Sequence, residues 1–235
     1  MARVRSRPAK VRVDRLGLEP YDVRFSIRRP VVPSGDVDDF VVHVRGEIVS
    51  VEGEMEASAG SVDAYVLQVD RAREAGEDVW EICDATSANL FEVCEAVFDE
   101  SGELKDEVCD GGVGSDVLFL DRAEILPAHR GRGLGLMAVL RTIEDFGRGC
   151  AVAIMKPFPL QLEGVNETRS LSASDRTYRR SMALDALEQD PARAKRSLER
   201  HWCKLGFERL AGTELFLLDL AMERPTYADL LSGDD

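Results

Sequence analysis

The stretch from residue 126 to residue 136, LPAHRGRGLGL, joins an apolar segment to an amphipathic one and decides how the chain is interpreted. The segment before it, 116–125, is a short apolar run typical of a mostly buried strand. After it, Leu136, Leu140 and Ile143 recur at helical spacing, so the glycines stand where a helix begins. Glycines let the main chain turn tightly with its N–H groups exposed, and a helix N-terminus adds about half a positive charge. The sequence therefore predicts an anion-binding turn between a strand and a helix.

A Gly-x-Gly-x-Gly turn is not specific to one function, because it also occurs in dinucleotide-binding turns, in linkers and where helices pack tightly. A Rossmann-type turn needs its third glycine three residues after the second, and an acidic ribose ligand about 20 residues further on. Here Gly135 follows Gly133 by only two residues, and a long segment precedes the turn. This spacing disfavours a Rossmann-type site.

A second segment carries the signature of a capped helix. Asp190 is a suitable N-cap, Pro191 fits the first helical position, and Gly206 is a suitable stop. One face of the predicted helix is apolar and consists of Ala194, Leu198, Trp202 and Leu205.

Both segments resemble motifs of the GNAT superfamily of N-acetyltransferases. Arg130, Gly133 and Gly135 match its signature, Gln/Arg-x-x-Gly-x-Gly/Ala, with Pro127 three residues before the arginine. Residues 200–207, RHWCKLGF, resemble the RFYEKLGF stretch that ends the last large helix of the superfamily and enters the next strand. The two motifs come in the family's order, and the resemblance extends over about residues 115–220.

The resemblance implies a mixed α/β (α+β) fold, a GNAT-like twisted mixed β-sheet flanked by helices, in which the motif strand and the next strand splay apart. Relative to that pattern, the chain has an N-terminal extension and a helical insertion before the last large helix. The resemblance also implies acetyl-CoA, or another acyl-CoA, as co-substrate in this opening. Its acyl group would pass to a primary amine by direct attack, the acceptor being a small molecule or a protein amine.

By position in the family pattern, the main chain of Ala123, Glu124 and Ile125 would pair with the pantetheine arm. The loop and first helical turn would hold the pyrophosphate through the residues Arg130, Gly131, Arg132, Gly133, Leu134, Gly135 and Leu136.

Acyl transfer needs a base for the amine, and the motif strand offers Asp121 and Glu124. Because side chains alternate along a strand, these two should face opposite ways unless a bulge intervenes, and Asp121 is the slightly preferred base. The family's frequent general acid is a tyrosine at the position of Trp202, whose indole cannot protonate a thiolate. Substitutes are His201, Cys203 and Tyr178. The alternative is a catalytically impaired CoA-binding sensor or interaction module.

Composition limits the remaining possibilities. A chain of 235 residues with 44% hydrophobic content can bury one substantial core, so we predict a single domain over residues 31–235. The net charge of −14 disfavours nucleic-acid binding. Residues 1–30 are instead basic and are predicted to form an arm. This arm could lie across the acidic surface of its own subunit or of a partner subunit in a homodimer, form a disordered tail, or bind an acidic partner.

The sequence offers no apolar run long enough for a membrane span and no secretory leader, so we expect a cytoplasmic protein that binds no membrane. Five widely spaced cysteines without a Cys-x-x-Cys pair argue against a disulfide framework and a zinc site, and no metal site is predicted. The remaining predicted elements are a strand at 40–45 with a hairpin partner at 48–51, a loop at 53–61, a strand at 62–66, a helix from near Ser87, loops at 99–116 and 163–175, a strand at 150–155, a helix at 175–187 and a strand at 215–220.

Overall fold

The computed structural model describes residues 20–109, 114–163 and 172–232. Over these ranges the protein is a mixed α/β structure, with seven strands in one mixed sheet and seven α-helices. Residues 1–19 of the predicted basic arm lie outside the described residues. Among the helices in these ranges, none is both long and apolar enough to cross a membrane.

The strands are β1 Tyr21–Ile27, β2 Val41–Glu52, β3 Met55–Leu67, β4 Asp116–Ile125, β5 Cys150–Met155, β6 Glu208–Arg209 and β7 Phe216–Asp219. Their order in the sheet is β1-β2-β3-β4-β5-β7-β6. Neighbouring strands are antiparallel except for β4 and β5, which lie side by side in parallel at the centre.

The helices are α1 Val69–Ala75, α2 Val79–Thr86, α3 Ala88–Val97, α4 Leu134–Phe146, α5 Ala173–Ser181, α6 Pro191–Cys203 and α7 Tyr227–Ser232. Helices α1 to α3 cover one face of the sheet, while α4 and α6 pack on the other. Strand β4 is buried between these layers: Val117 and Phe119 contribute to the first core, Leu118 and Leu120 to the second. Burial on both faces explains why residues 117–120 of β4 form a continuous apolar run.

The elements around the two sequence motifs are confirmed. Strands β4 and β5 have the predicted bounds, and α3 and α6 begin where predicted. Ser87 caps α3 by accepting a hydrogen bond from the N–H of Leu90, and Asp190 caps α6 through the N–H of Arg193 at 2.8 Å. These ends were predictable because they depend on local capping chemistry alone.

The predicted loop at 53–61 is wrong, because β3 already begins at Met55 and the turn is confined to residues 53 and 54. Small and polar residues are tolerated here since one face of the antiparallel pair is exposed. Gly60 lies so close to β4 that a Cβ there would be 2.1 Å from the carbonyl oxygen of Glu124. Strand β1, which lies within the predicted arm, and the short helices α1, α2 and α7 were not predicted at all.

The cysteine spacing argued against a disulfide framework, but the structure pairs two of the five cysteines. Cys83 on α2 and Cys94 on α3 are bonded, with a sequence separation of 11 residues. Spacing did not reveal this pair, because the contact is created by two helices that pack against each other after a turn at Ser87. Of the other three, Cys150 is buried, Cys109 is half-buried and Cys203 is exposed.

Candidate active site

A cleft opens where β4 and β5 stop pairing. Their parallel pairing runs from Asp116 and Cys150 to Leu120 and Met155 and then ends. The segment after β5 contains Pro157 and Pro159, which have no N–H to continue the ladder. Strand β4 continues to Ile125 and remains paired with β3. In the described part of the chain, the edge of β4 that faces β5 therefore has no strand partner over residues 121–125.

The cleft leads into a cavity of about 900 Å³. Its walls are β4 from Phe119 to Ile125, the segment that follows β5, and one face of α6. The structure brings six of the predicted site residues to this cavity, namely Asp121, Ala123, Glu124, Ile125, Arg130 and Gly131. The other five, Arg132, Gly133, Leu134, Gly135 and Leu136, do not line the cavity and follow directly in the chain.

We call residues 130–136 the glycine loop. Gly131 and Gly133 adopt positive φ angles of 78° and 73°, and a Cβ at either position would meet nothing within 4 Å. Glycine is thus required by backbone conformation and not by crowding. Helix α4 begins directly after Gly133, which provides no side-chain cap. The first turn is anchored by Leu134 and Leu136, whose side chains are buried.

The main-chain N–H groups of residues 131–136 donate to no acceptor in the ranges that the structure describes. The first internal bond at this end of α4 comes from Met137, whose N–H donates to the carbonyl of Gly133 at 3.1 Å. Unpaired amides at the start of a 13-residue helix, next to two left-handed glycines, form a concave group of donors that suits an anion.

The two arginines of the glycine loop hold the loop in place. Arg130 donates from Nε to the carbonyl of Ile125 at 2.8 Å and from Nη2 to the carbonyl of Met182 at 2.7 Å. Burial lowers the pKa of Arg130 from its ordinary value. Arg132 donates to the hydroxyl of Tyr21 at 3.0 Å, which links the loop to β1. Phosphate binding by these side chains remains a prediction.

Replacing Arg130 by methionine is expected to lower the free energy of unfolding by about 1–3 kcal/mol, since two half-buried carbonyl groups lose a charged donor. Urea denaturation of the variant measures this loss. Arg148→Met, at an exposed position, is the matched control and should change stability by less than about 0.5 kcal/mol. Equal stability of the two variants would contradict the bracing role of Arg130.

A β-bulge in β4 lies at Asp121. Leu120 is opposite Ala64 and Arg122 is opposite Asp63, so Asp121 has no partner on β3. The extra residue interrupts the alternation of side chains. Asp121 and Glu124 therefore both line the cavity, although simple alternation would have placed them on opposite faces.

The two candidate bases have different surroundings. Asp121 accepts a hydrogen bond from the side-chain amide of Asn89 at 2.9 Å. Glu124 accepts hydrogen bonds from Arg122 at 2.7 Å and from the Tyr178 hydroxyl at 2.6 Å. Arg122 also binds both carboxylate oxygens of Glu163. The charge of Glu124 is thus compensated by a cation, whereas the described partner of Asp121 is a neutral amide.

In this network Tyr178 is protonated and Arg122 is charged at neutral pH. Burial and the hydrogen bond to Glu124 raise the pKa of Tyr178 to about 12. Burial alone would lower the pKa of Arg122, but its hydrogen bonds to Glu163 and Tyr178 raise it above the ordinary value. Tyr178 therefore donates to Glu124 at neutral pH and fixes this carboxylate.

The second sequence motif contributes one wall of the cavity. Trp202 is only 8% exposed and lines the cavity together with His201, whose ring centroid is 5.0 Å from that of Trp202. Burial lowers the pKa of His201, so its imidazole is neutral at pH 7. Cys203 is exposed and lines a separate surface pocket. Of the substitutes for the missing tyrosine, His201 reaches the cavity and Tyr178 reaches Glu124.

Several cavity residues had no signal in the sequence. Asn89 comes from α3, and Met182, Leu184 and Leu187 come from the inserted segment between α5 and α6. Lys156, also on the wall, is paired with Glu92 at 2.7 Å. Each reaches the cavity by a long-range contact, which neither periodicity nor capping chemistry can indicate.

Comparisons with protein-family models, with curated proteins and with solved structures find no match to this chain. The resemblance to the GNAT superfamily accordingly rests on the residues quoted from the two motifs.

Proposed function

We propose that the protein is an acyl-CoA-dependent N-acyltransferase that moves an acyl group, acetyl foremost, from acetyl-CoA to a primary amine by direct attack. One observation carries this proposal: among the described residues, the amides of the glycine loop are unpaired and lie beside a cleft whose β4 edge has no strand partner. An acyl-CoA needs both features, donors for its diphosphate and an extended edge for its pantetheine arm.

The residues present fit such a ligand. The N–H groups of residues 131–136 would hold the diphosphate, and the main chain of Ala123 to Ile125 would pair with the pantetheine amides as an added strand does. When bound, acetyl-CoA would supply a thioester carbonyl: the amine nitrogen would form a bond to the carbonyl carbon, the carbon–sulfur bond would break, and coenzyme A would leave as the thiolate. The cavity beyond Leu120 has room for the acyl group and the acceptor.

The side chains would then supply the base, position it and exclude water. Asp121 accepts the proton of the amine at a carboxylate oxygen, held in place by Asn89. Glu124 acts as a positioning residue, because its carboxylate already accepts hydrogen bonds from Arg122 and Tyr178. Trp202 and the inserted segment wall the cavity and exclude water.

The sheet supports the finer fold assignment, a GNAT-like sheet. The resemblance implies a mixed sheet in which the motif strand and the next strand splay apart, and the parallel pairing of β4 with β5 ends at Leu120 and Met155. A cytoplasmic location remains part of the proposal, as does a homodimer.

The proposed activity is tested by the release of free thiol from acetyl-CoA in the presence of a panel of primary amines. We expect thiol release that depends on both enzyme and amine, with an acetylated amine of matching amount detected by mass spectrometry. Stable CoA binding without thiol release from any amine would contradict the transferase proposal.

That last outcome would favour the second candidate, a CoA-binding sensor or interaction module. The observation behind it is Trp202, which lines the cavity where the resemblance leads one to expect a tyrosine. The indole of Trp202 cannot supply a proton to a thiolate. Both candidates need an intact glycine loop, so they differ in turnover and not in CoA affinity.

A further inference from the structure

The polar side chain of Gln161 is buried in the wall of the cavity. Gln161 lies in a single short helical turn, Leu160–Leu162, in the segment that follows β5. It is only 7% exposed and lines the cavity. A buried side-chain amide is normally hydrogen-bonded at both its nitrogen and its oxygen, because a buried donor or acceptor without a partner is unfavourable.

The inserted segment fixes the orientation of the Gln161 amide. Its Nε2 donates to the main-chain carbonyl of Glu188 at 3.0 Å. Since a carbonyl can only accept, the nitrogen of the amide and not its oxygen faces Glu188. The main-chain carbonyl of Gln161 accepts a hydrogen bond from Nη1 of Arg179 on α5, also at 3.0 Å. Main chain and side chain are therefore both held, and the direction of Oε1 is determined.

The Oε1 atom of Gln161 accepts no hydrogen bond from any residue that the structure describes. Every fully buried side-chain nitrogen or oxygen in those residues has a partner, so an oxygen without one must be open to the space beside it. For Gln161 this space is the cavity that it lines. A fixed acceptor that is open to a cavity indicates a ligand with a hydrogen-bond donor.

A neutral N–H group is the donor that this oxygen suits. A protonated amine is better stabilised by a carboxylate, and the cavity offers Asp121 for that purpose. The nearby Glu163 is bound to Arg122, and the carboxylate of Glu188 accepts a hydrogen bond from the main-chain N–H that precedes α6. The same two segments also contribute aliphatic side chains to the wall, namely Leu160, Leu184 and Leu187. An amide N–H therefore fits the oxygen of Gln161 better than an ammonium group does.

Gln161 lies on the side of the cavity along which the pantetheine arm is proposed to run. The inserted segment that holds Gln161 also contacts the glycine loop, since Arg130 donates to the carbonyl of Met182 at 2.7 Å. It leads into α6, which packs with α4 on one face of the sheet. Asn89, the partner of Asp121, comes from α3 on the other face. Pantetheine carries amide N–H groups, and only one edge of an extended arm can face β4.

We propose that Gln161 is a binding residue for the pantetheine arm, and that its Oε1 accepts a hydrogen bond from an amide N–H of that arm. This inference rests on the proposed function for the identity of the ligand. The contact links the ligand to the inserted segment, because the same side-chain amide donates to Glu188. Binding of coenzyme A can be measured without turnover, so this contact is testable apart from the transferase activity.

Calorimetric titration of the full chain with coenzyme A and with adenosine 3′,5′-bisphosphate, the nucleotide part of coenzyme A, tests the contact. The bisphosphate lacks the pantetheine arm, so the ratio of the two affinities isolates the contribution of the arm. Gln161→Met is expected to lower this ratio about fivefold, as the loss of one neutral hydrogen bond does. Gln161→Lys keeps a donor for the carbonyl of Glu188 and removes the acceptor, and it should lower the ratio to a similar extent.

Gln189→Met is the matched control. The side-chain amide of Gln189 donates to the carbonyls of Leu184 and Leu187, so it braces the same inserted segment, but it does not line the cavity. In this variant the ratio of the two affinities should remain within about twofold of the parent value.

An unchanged ratio in Gln161→Met would overturn the inference, and a raised KM for the amine in that variant would then assign the N–H donor to the acceptor. An equal loss in Gln189→Met, or an equal loss of affinity for both ligands, would attribute the effect to the inserted segment and would overturn it as well. The expected ratio without thiol release from any amine would overturn the transferase and leave the Gln161 contact standing. Absence of coenzyme A binding to the parent chain would overturn both.

Discussion

Replacing Gly135 by aspartate is expected to weaken coenzyme A binding about 100-fold without loss of the fold. Gly135 lies in the first turn of α4, and a Cβ there would meet Ile125 at an ordinary van der Waals distance of 3.6 Å. The new carboxylate would lie in the first turn of α4, where the diphosphate is proposed to bind. Two like charges about 5 Å apart repel by roughly 3 kcal/mol at an effective dielectric constant of about 20.

The same substitution should not harm the protein itself. A negative charge at a helix N-terminus stabilises the helix by about 0.3–1 kcal/mol, so Gly135→Asp separates ligand binding from folding. Gly135→Ala is the matched control, because it adds the Cβ without the charge and should bind CoA within about threefold of the parent chain. Unchanged CoA affinity in Gly135→Asp would mean that the start of α4 does not hold the diphosphate.

Replacing Asp121 by asparagine is expected to lower the turnover rate by a factor of about 10² to 10⁴, the usual contribution of a general base. Asparagine keeps the shape of the side chain and can still accept the hydrogen bond from Asn89. Coenzyme A affinity should remain the same, since the side chain of Asp121 is not among the proposed CoA contacts. Steady-state kinetics together with calorimetry measure the two quantities separately.

Asp106→Asn, at an exposed position outside the cavity, provides the matched control and should retain full turnover. A turnover rate for Asp121→Asn within a factor of about three of the control would mean that Asp121 is not the general base. In that case Glu124 or His201, the other ionisable groups considered for the cavity, would have to be tested in the same way.

The central part of the fold was predictable because its signals are local. The apolar run of β4, the glycines before α4 and the caps of α3 and α6 each depend on residues within one or two turns. The positive φ angles of Gly131 and Gly133 are the conformations that made a glycine-rich turn informative in the first place. The loop at 53–61 was mistaken because small and polar residues can also form the exposed half of a long hairpin.

The arrangement of the candidate site was less predictable because it depends on contacts between distant segments. The bulge at Asp121 exists only in relation to β3, so the strand sequence alone could not show that Asp121 and Glu124 reach the same cavity. The contact of Arg130 with Met182 joins residues 52 positions apart. The pairing of Cys83 with Cys94 likewise follows from the packing of α2 on α3.

The most direct test of the account is a calorimetric titration of the full chain with coenzyme A. If the glycine loop and the free edge of β4 hold an acyl-CoA, the titration should show saturable binding with a Kd on the order of 10 μM, about −7 kcal/mol. Absence of heat at millimolar coenzyme A would contradict the account, because neither the transferase nor the CoA-binding module could then operate.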